Sequence, residues 1–394
     1  MLHLNRTLGE WNVGETMIRK MTRLANEHGA VNLSQGFADF DTPDAPKEAA
    51  IAAIRAGNNQ YSYTYGIPQL REAIARKAAS FNAIPDVDPE DVVVTLGATE
   101  GILTVLRVIA NPGDEVVFFE PFHEAYVPQC LILGLTPRVV TIYPLTMTYD
   151  KASLEEAITD RTIAILLNTP HNPSGKVFDH DELVHIADLA RARDLLVITD
   201  EIYEHIVYGE ARHTSIASLP GMRERTFTTN AISKTYQATG WRVGWVICPP
   251  AYTHYVRVLH DITVIQAPTP LQFAAVEALS MPQSYYEGLP GFYQERRDLL
   301  LQGLRDAGFV CSAPAGCYYV MADFSAIDPE SNSLDFAMRL LTEAKVAAVP
   351  GANFYLTPGL GEHQVRFAFC KQTSTIERAV NNLRGLQAPR PAKR

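Results

Sequence analysis

The sequence predicts an α/β protein whose main domain contains a mostly parallel β-sheet covered by helices. From residue 92 onwards, apolar runs of strand length alternate with segments of helical periodicity, an order that is typical of parallel sheets. The runs lack clean alternation of apolar and polar residues, which indicates strands that are buried on both faces. After about residue 285 the pattern changes to a long polar helix, short strands and further helices. This change predicts a second, smaller α+β domain.

The segments before the sheet are predicted to be helices joined by loops. Apolar positions at helical spacing predict three helices, at residues 15–28, 48–57 and 68–81. Between the last two, Tyr61, Tyr63 and Tyr65 alternate, so they would share one face of an extended segment.

Seven strands are predicted for the large sheet, at residues 92–96, 115–119, 137–142, 162–168, 195–200, 225–229 and 243–247. The helices predicted between them span residues 97–110, 120–134, 153–159, 179–193 and 201–209. The helix at 179–193 opens with Asp179 three residues before Glu182, an acidic variant of the capping box. Between the last two strands lies a loop with a single lysine, Lys234, in the stretch NAISKTYQATGWRVGW.

Composition excludes several classes of protein. A chain of 394 residues with 47% hydrophobic and 20% charged residues is an ordinary globular protein of about two domains. The net charge of −10 and the lack of a basic stripe argue against a nucleic-acid partner. No apolar run is long enough to cross a bilayer, and the N-terminus lacks the apolar core of a signal peptide. Five scattered cysteines suit reduced thiols, so a cytoplasmic protein is expected.

Polar residues follow the predicted strands directly, at the point where each strand ends. In parallel sheets, ligands bind in the crevice at the carboxyl ends of the strands. The residues expected to line that crevice are Ala98, Thr99, His123, Asn172, Asp200, Tyr203 and Lys234. A lysine among apolar and small neighbours is a candidate amine nucleophile, because partial desolvation favours its neutral form.

Each of these features also has a simpler interpretation. A lone lysine is usually a solvated surface group, and Asn172-Pro173 is typical of a turn. Gly97 and Ala98 form either a plain turn or a phosphate cradle at a helix N-terminus. Adjacent residues of a strand point to opposite faces, so only one of Asp200 and Glu201 can face the crevice.

The order of the motifs favours the functional interpretation. The segments VNLSQGFADF, NQYSYTYGIPQLREAIA, LGATEG, LNTPHNPSGKVF, TDEIYEHIVY, SKTYQATGWRVGW and VRFAF resemble class I pyridoxal-phosphate (PLP) dependent aminotransferases of fold type I. The resemblance covers nearly the whole chain and is greatest to the kynurenine aminotransferase/glutamine transaminase K and methionine aminotransferase branch. It implies a large domain with a seven-stranded sheet at 41–285, a small domain at 286–394, and an N-terminal segment at 1–40 that joins the small domain.

The resemblance also implies a role for each candidate in holding PLP. Lys234 matches the lysine that bonds to the cofactor and moves the substrate proton, and Asp200 matches the carboxylate that faces the ring nitrogen. Tyr203 and Asn172 match donors to the ring oxygen, and His123 occupies the ring-stacking position. The residues that match phosphate ligands are Ala98, Thr99, Ser233 and Arg242, together with Tyr61, which reaches the cofactor of the neighbouring subunit. A homodimer with composite sites is therefore expected.

The substrate would be held by a further set of residues. Arg366 matches the arginine that grips the α-carboxylate, Gly36 matches a glycine beside it, and Asn172 lies nearby. The expected side-chain pocket consists of Ile18, Phe37, Tyr63 and His123. No second cation could be placed there from the sequence, so uncharged donors such as methionine, aromatic residues, leucine or glutamine are expected.

Three positions depart from the family pattern, and alternatives stay open. Ala231 replaces a phosphate-binding serine, His123 replaces Phe or Tyr and introduces a group that titrates, and Ile18 replaces a tryptophan. The expected activity is an amino acid:2-oxo acid aminotransferase with ping-pong half-reactions through pyridoxamine phosphate. The alternatives are an aspartate aminotransferase, a PLP β-lyase acting on cysteine conjugates, and a non-catalytic aminotransferase-like module. The intact Lys234 and Asp200, and the lack of a winged-helix segment, count against the last.

Overall fold

The computed structural model describes residues 15–386 of the chain. The first part of the predicted segment 1–40, including the stretch without a signal-peptide core, lies outside the described residues. The first elements are α1 (Met17–Glu27), β1 (Val31–Asn32), α2 (Asp44–Arg55) and α3 (Pro68–Ser80). The next are β2 (Val92–Thr95), α4 (Ala98–Ile109), β3 (Glu115–Glu120), α5 (Tyr126–Ile132), β4 (Thr136–Tyr143), β5 (Thr148–Tyr149), α6 (Lys151–Ala157), β6 (Thr162–Asn168), α7 (His180–Ala192) and β7 (Leu196–Asp200).

The second half of the chain completes the large sheet and adds the smaller one. It contains β8 (Thr226–Ala231), α8 (Ile232–Thr235), β9 (Gly244–Ile247), α9 (Thr253–Val264), α10 (Thr269–Leu279), α11 (Gln283–Asp306), β10 (Tyr319–Asp323), α12 (Ser333–Thr342), β11 (Val346–Ala347), β12 (Val349–Pro350), β13 (Gln364–Ala368) and α13 (Thr373–Leu383). None of the helices within residues 15–386 is long and apolar enough to cross a membrane.

The large sheet has the strand order β2-β9-β8-β7-β6-β3-β4-β5. All seven predicted strands are present, and β5 adds a two-residue eighth strand at the edge. Strands β8, β7, β6, β3 and β4 are parallel, whereas β9 is antiparallel to both of its neighbours. Because β9 is antiparallel both to β2 and to β8, β2 runs in the same direction as β8 and the other parallel strands. The carboxyl ends of six strands therefore lie at one edge of the sheet.

Most of the predicted helices are confirmed, with two differences between strands. The capping box at the start of α7 is present in both directions, from Asp179 and from Glu182. The helix predicted at 120–134 is confined to α5, and the one predicted at 201–209 is wrong, because this segment forms turns. There Glu201 and Glu204 are buried and bind side chains distant in sequence, among them Lys77. The hydrogen bonds and ion pair to these distant residues stabilise the turns at 201–209, although the local sequence favours a helix.

The tyrosine segment before α3 also differs from its prediction. It forms no strand, and Tyr61 and Tyr63 are exposed, whereas Tyr65 is turned toward the protein. The ring of Tyr65 contacts the guanidinium groups of Arg71 and Arg257 and lies 6.0 Å from the ring of Tyr63. The shared face was expected for an extended segment, and this segment does not form a strand.

The smaller sheet has the order β10-β13-β12, and all of its pairs are antiparallel. The strand β1 near the N-terminus pairs with β11. Met21 of α1 lies in the same apolar core as Phe336 and Phe367. These contacts support our proposal that the N-terminal segment belongs with the small domain, and the boundaries at residues 40 and 285 remain a prediction.

Candidate active site

A cavity of about 750 Å³ lies at the carboxyl edge of the large sheet. All the residues predicted to bind the cofactor or the substrate carboxylate line it, apart from Tyr61, and so does Ile18 of the expected side-chain pocket: Ile18, Gly36, Ala98, Thr99, His123, Asn172, Asp200, Tyr203, Ser233, Lys234, Arg242 and Arg366. Phe37 also lines the cavity, as expected, whereas Tyr63 lies outside the cavity of its own chain, as Tyr61 does, and its assignment to the pocket stays a prediction. Residues from the ends of five different strands (β2, β3, β6, β7 and β8) and from the small sheet thus meet at one place.

Asp200 is the last residue of β7, and its carboxylate faces the cavity while Glu201 points to the other side. The hydroxyl of Tyr126 donates to Asp200 Oδ2 at 2.7 Å. Asp200 Oδ1 is buried and has no hydrogen-bond partner among residues 15–386. Burial raises the pKa of Asp200 to about 6, although the Tyr126 hydrogen bond opposes this rise. A buried acceptor is therefore left free for a donor in the cavity.

Lys234 lies in the short helix α8, directly after β8, rather than in the predicted loop. The helical turn is closed by a hydrogen bond from the Tyr236 amide to the Ile232 carbonyl. Lys234 Nζ donates to the Gly36 carbonyl at 3.0 Å, and the Tyr318 hydroxyl donates to the same oxygen at 3.0 Å. Burial lowers the pKa of Lys234 to about 8. The amine therefore loses its proton closer to neutral pH than an exposed lysine does.

The N-terminus of α4 and Arg242 form an anion-binding corner. Gly97 precedes the helix with a φ of +80°, a conformation that favours glycine. A Cβ at this position would lie 2.4 Å from Arg242 Nη2, which itself donates to the Leu96 carbonyl at 3.0 Å. Gln129 Nε2 donates to the Thr99 carbonyl at 2.8 Å and fixes the first turn. Free amides at a helix N-terminus beside a guanidinium are suited to a phosphate group.

Arg366 of β13 approaches the cavity from the small sheet and is buried. Its Nη2 donates to the Ser34 carbonyl at 2.8 Å and its Nη1 to Asn172 Oδ1 at 3.2 Å. Its Nε has no hydrogen-bond partner in the described part of the chain. A Cβ on Gly36 would lie 1.8 Å from the Tyr319 hydroxyl oxygen, so only glycine fits beside this group. A buried guanidinium with unused donor capacity is suited to a carboxylate.

Tyr203 and His123 complete the walls near Asp200. Tyr203 is buried and its hydroxyl lies 3.2 Å from the Tyr319 hydroxyl. Burial raises the pKa of Tyr203, so its hydroxyl keeps its proton. Burial lowers the pKa of His123 to about 3, so its imidazole is neutral at physiological pH. The imidazole of His123 therefore does not change its protonation state in the physiological pH range.

The sequence did not indicate several residues of the site, among them Tyr126, Gln35 and Arg19. Tyr126 could not be found, because its hydrogen bond to Asp200 spans 74 positions. Gln35 and Arg19 also line the cavity. Arg19 directly follows Ile18 on α1 and is a second cation at the pocket, which corrects the expectation that there was none.

Comparison with known proteins agrees with this geometry. The sequence model of the family described as "Aminotransferase class I and II" matches residues 28–383. The chain is 33% identical to methionine aminotransferase of Escherichia coli over 375 residues, covering 95% of this chain and 96% of that protein. It is 34% identical to human kynurenine–oxoglutarate transaminase 1, covering 93% and 94%. The solved structure of N-succinyldiaminopimelate aminotransferase from Mycobacterium tuberculosis superposes with a TM-score of 0.93 at 36% identity, covering 98% and 100%.

The residues present fit the cofactor that this family uses. Asp200 Oδ1 is an unsatisfied acceptor for a ring N–H, and the corner at Gly97 and Arg242 is suited to a phosphate. A cavity of about 750 Å³ lies in the range that small-molecule sites occupy. The match over most of the chain and the fitting cavity lead to one conclusion: the protein belongs to the class I and II aminotransferases and is a pyridoxal-phosphate-dependent enzyme.

Proposed function

We propose that the enzyme transfers the amino group between amino acids and 2-oxo acids by ping-pong half-reactions, and that it prefers uncharged amino donors. The observation that carries this proposal is the meeting of Lys234 and Arg366 in one cavity. One is an amine with a lowered pKa, and the other is a buried carboxylate-binding group. PLP, when bound, stabilises the negative charge that develops on the substrate carbon after proton removal.

The chain's own residues would hold the cofactor through separate contacts. Asp200 would hold the protonated ring nitrogen, because its carboxylate is buried and its Oδ1 has no hydrogen-bond partner in the described chain. Asn172 Oδ1 accepts from Arg366, which leaves the Nδ2 donor for the ring oxygen. The Tyr203 hydroxyl, which donates to the Tyr319 hydroxyl in this structure, would turn to the ring oxygen as a second donor. Ser233 lines the cavity and supplies a hydroxyl that Ala231 cannot. The phosphate would lie at Ala98, Thr99 and Arg242.

Lys234 would move the proton. Its amine would accept the α-proton of the substrate and hold it for the return transfer, a role that requires the neutral form. Because burial lowers the pKa of Lys234 to about 8, a substantial fraction of the amine is in the neutral form at physiological pH. The Gly36 carbonyl, 3.0 Å away, holds the free amine in place.

The walls around Arg366 support the preference for uncharged donors. Ile18 packs on the apolar cluster of Met321, Val349 and Phe354, and Phe37 lines the same cavity. Burial of a large apolar side chain on such walls contributes about 1.5–3 kcal/mol. Methionine, aromatic residues, leucine and glutamine should therefore bind better than aspartate.

We also propose that the enzyme is a homodimer in the cytoplasm with composite sites. Tyr61 is 77% exposed and lies outside the cavity of its own chain. Its loop is nevertheless anchored, because the Ser62 amide donates to Gln266 Oε1 at 2.8 Å. Exposed apolar residues on and beside α9 offer a surface for a second copy: Tyr255, Val258, Ile262 and Ile265. The five cysteines are free, in keeping with a reducing compartment.

A substrate panel tests the preference. Methionine, phenylalanine, glutamine and aspartate are compared by kcat/KM with one monocarboxylic acceptor, 2-oxopentanoate. N-succinyldiaminopimelate is added because the similar aminotransferase from Mycobacterium tuberculosis is named for it. Methionine or phenylalanine should lead. A lead of tenfold or more for aspartate, about 1.4 kcal/mol, contradicts the proposal. If the enzyme releases pyruvate from a cysteine conjugate faster than it transaminates that conjugate, the β-lyase is favoured.

Mixing two inactive variants tests the composite site. Tyr61→Phe and Lys234→Ala proteins, each impaired, are refolded together, so that one site in each heterodimer carries both native residues. Partial recovery of activity is expected. A monomer at working concentration, or no recovery, contradicts the proposal.

A further inference from the structure

We infer that Arg19 is a specificity-determining residue that binds a second carboxylate of the substrate and adapts the site to dicarboxylic 2-oxo acids as amino acceptors. This inference rests on the proposed function, since both half-reactions use the same cavity. Apolar walls would select the uncharged amino acid and its oxo acid, and the charge of Arg19 would select the dicarboxylic oxo acid and the amino acid formed from it.

The N-terminus of α1 forms part of the cavity wall. Thr16, Ile18 and Arg19 all line the cavity. Ile18 and the neighbouring Met17 pack on the apolar cluster that contains Phe354, whose ring also contacts the guanidinium of Arg366. The first turn of α1 is therefore held against the same group that supports the carboxylate-binding arginine. Arg19 is placed at the site by packing.

Arg19 is the cation of the cavity wall to which the proposed function assigns no role. The charged side chains that line the cavity are Arg19, Glu124, Asp200, Lys234, Arg242 and Arg366. Three of the cations already have a function, in catalysis, phosphate binding and α-carboxylate binding. Arg19 is exposed and makes no ion pair with a carboxylate in residues 15–386. Glu124 lies 3.4 Å from Asn353 Nδ2, from which it accepts a hydrogen bond.

Two further donors belong to the same cavity. Gln35 Oε1 accepts from the Thr22 hydroxyl at 2.8 Å, so the amide is oriented and Nε2 remains available within the described chain. Thr16 makes no side-chain capping hydrogen bond, and the first turn of α1 holds no acidic residue. The positive end of this helix therefore adds to the charge of Arg19. The preferred ligand of these groups is an anion.

A second carboxylate is the anion that a substrate of this enzyme would bring. Guanidinium groups bind carboxylates through two parallel hydrogen bonds. A dicarboxylic oxo acid would otherwise leave one charge unpaired at the pocket, which is costly. Because Arg19 is exposed, an uncharged donor can bind without burying an unpaired guanidinium. Both kinds of substrate are therefore compatible with one site.

The test compares acceptors of equal chain length with and without the terminal carboxylate. Wild-type and Arg19→Met holoenzymes are assayed with methionine as the donor and with 2-oxoglutarate or 2-oxopentanoate as the acceptor. The ratio of kcat/KM for 2-oxoglutarate to that for 2-oxopentanoate should fall at least tenfold in Arg19→Met. Arg19→Lys, which keeps the charge, should give an intermediate ratio. The inhibition constants of glutarate and pentanoate should change in the same direction.

Arg23→Met is the matched control, because Arg23 lies one turn further on α1, is exposed, and does not line the cavity. Its ratio should equal that of the wild type. An unchanged ratio in Arg19→Met, or an equal fall in Arg23→Met, overturns the inference but leaves the donor preference untouched. Conversely, a lead for aspartate that disappears in Arg19→Met would refute the donor preference and support the role of Arg19.

Discussion

The hydroxyl of Tyr126 offers a direct test of how the site keeps Asp200 ionised. Tyr126→Phe removes a buried hydrogen bond of 2.7 Å to a carboxylate that has no other side-chain partner among the described residues. A hydrogen bond to a charged group contributes about 1.5–3 kcal/mol. Loss of this hydrogen bond should raise the pKa of Asp200, which means that the acid dissociation constant of its carboxyl group falls by about tenfold to a hundredfold.

The sign of the pH effect follows from the charge that PLP requires. The ring nitrogen is held by the ionised carboxylate, so affinity for PLP is present above the pKa of Asp200 and is lost as the pH falls through it. In the wild type this loss should occur near pH 6, where burial sets the pKa of Asp200. In Tyr126→Phe the loss of PLP affinity should begin at a higher pH. The affinity for PLP at pH 7 should therefore be lower than in the wild type and should partly recover as the pH is raised.

The assay is the dissociation constant of PLP from the apoenzyme between pH 5 and pH 9. Tyr149→Phe is the matched control, because the Tyr149 hydroxyl is buried but has no hydrogen-bond partner in the described chain and does not line the cavity. The same affinity and the same midpoint in wild type and Tyr126→Phe would refute this account of Asp200.

Two further predictions concern the walls of the cavity. Gly36→Ala should lower kcat/KM at least a hundredfold with the protein still folded by circular dichroism, because the new Cβ would lie 1.8 Å from the Tyr319 hydroxyl oxygen; near-normal kcat/KM would show that the tyrosine moves aside. His123→Phe should leave the pH profile of kcat/KM between pH 5 and pH 9 unchanged in shape, because burial lowers the pKa of His123 to about 3. An inflection near neutral pH that vanishes in His123→Phe would show that the imidazole titrates there.

Much of the fold could be predicted because the buried strands have a strong local signal. Runs such as 163–167 are apolar throughout, and the residues after such strands reach the cavity because parallel strands end at one edge. The direction of β9 could not be predicted, since an apolar run such as 243–247 looks the same in either direction. The edge strand β5 has two residues and no apolar run.

The missed parts depend on contacts between distant residues. Glu201 and Glu204 lie in a segment with helical periodicity, and only partners such as Lys77 and Ser215 explain why it forms turns. Arg19 was overlooked because an exposed arginine on a polar helix face has no local signal. Its importance appears only when α1 is packed against the cavity wall.

The role of Lys234 is the central claim, and covalent trapping tests it most directly. The purified holoenzyme is treated with borohydride, digested, and analysed by mass spectrometry for a phosphopyridoxyl group. We predict loss of the visible absorbance band and a single modified peptide that contains Lys234. A modification on another lysine, such as Lys371 (also buried, and with a lowered pKa), or normal turnover by Lys234→Ala, would contradict the account.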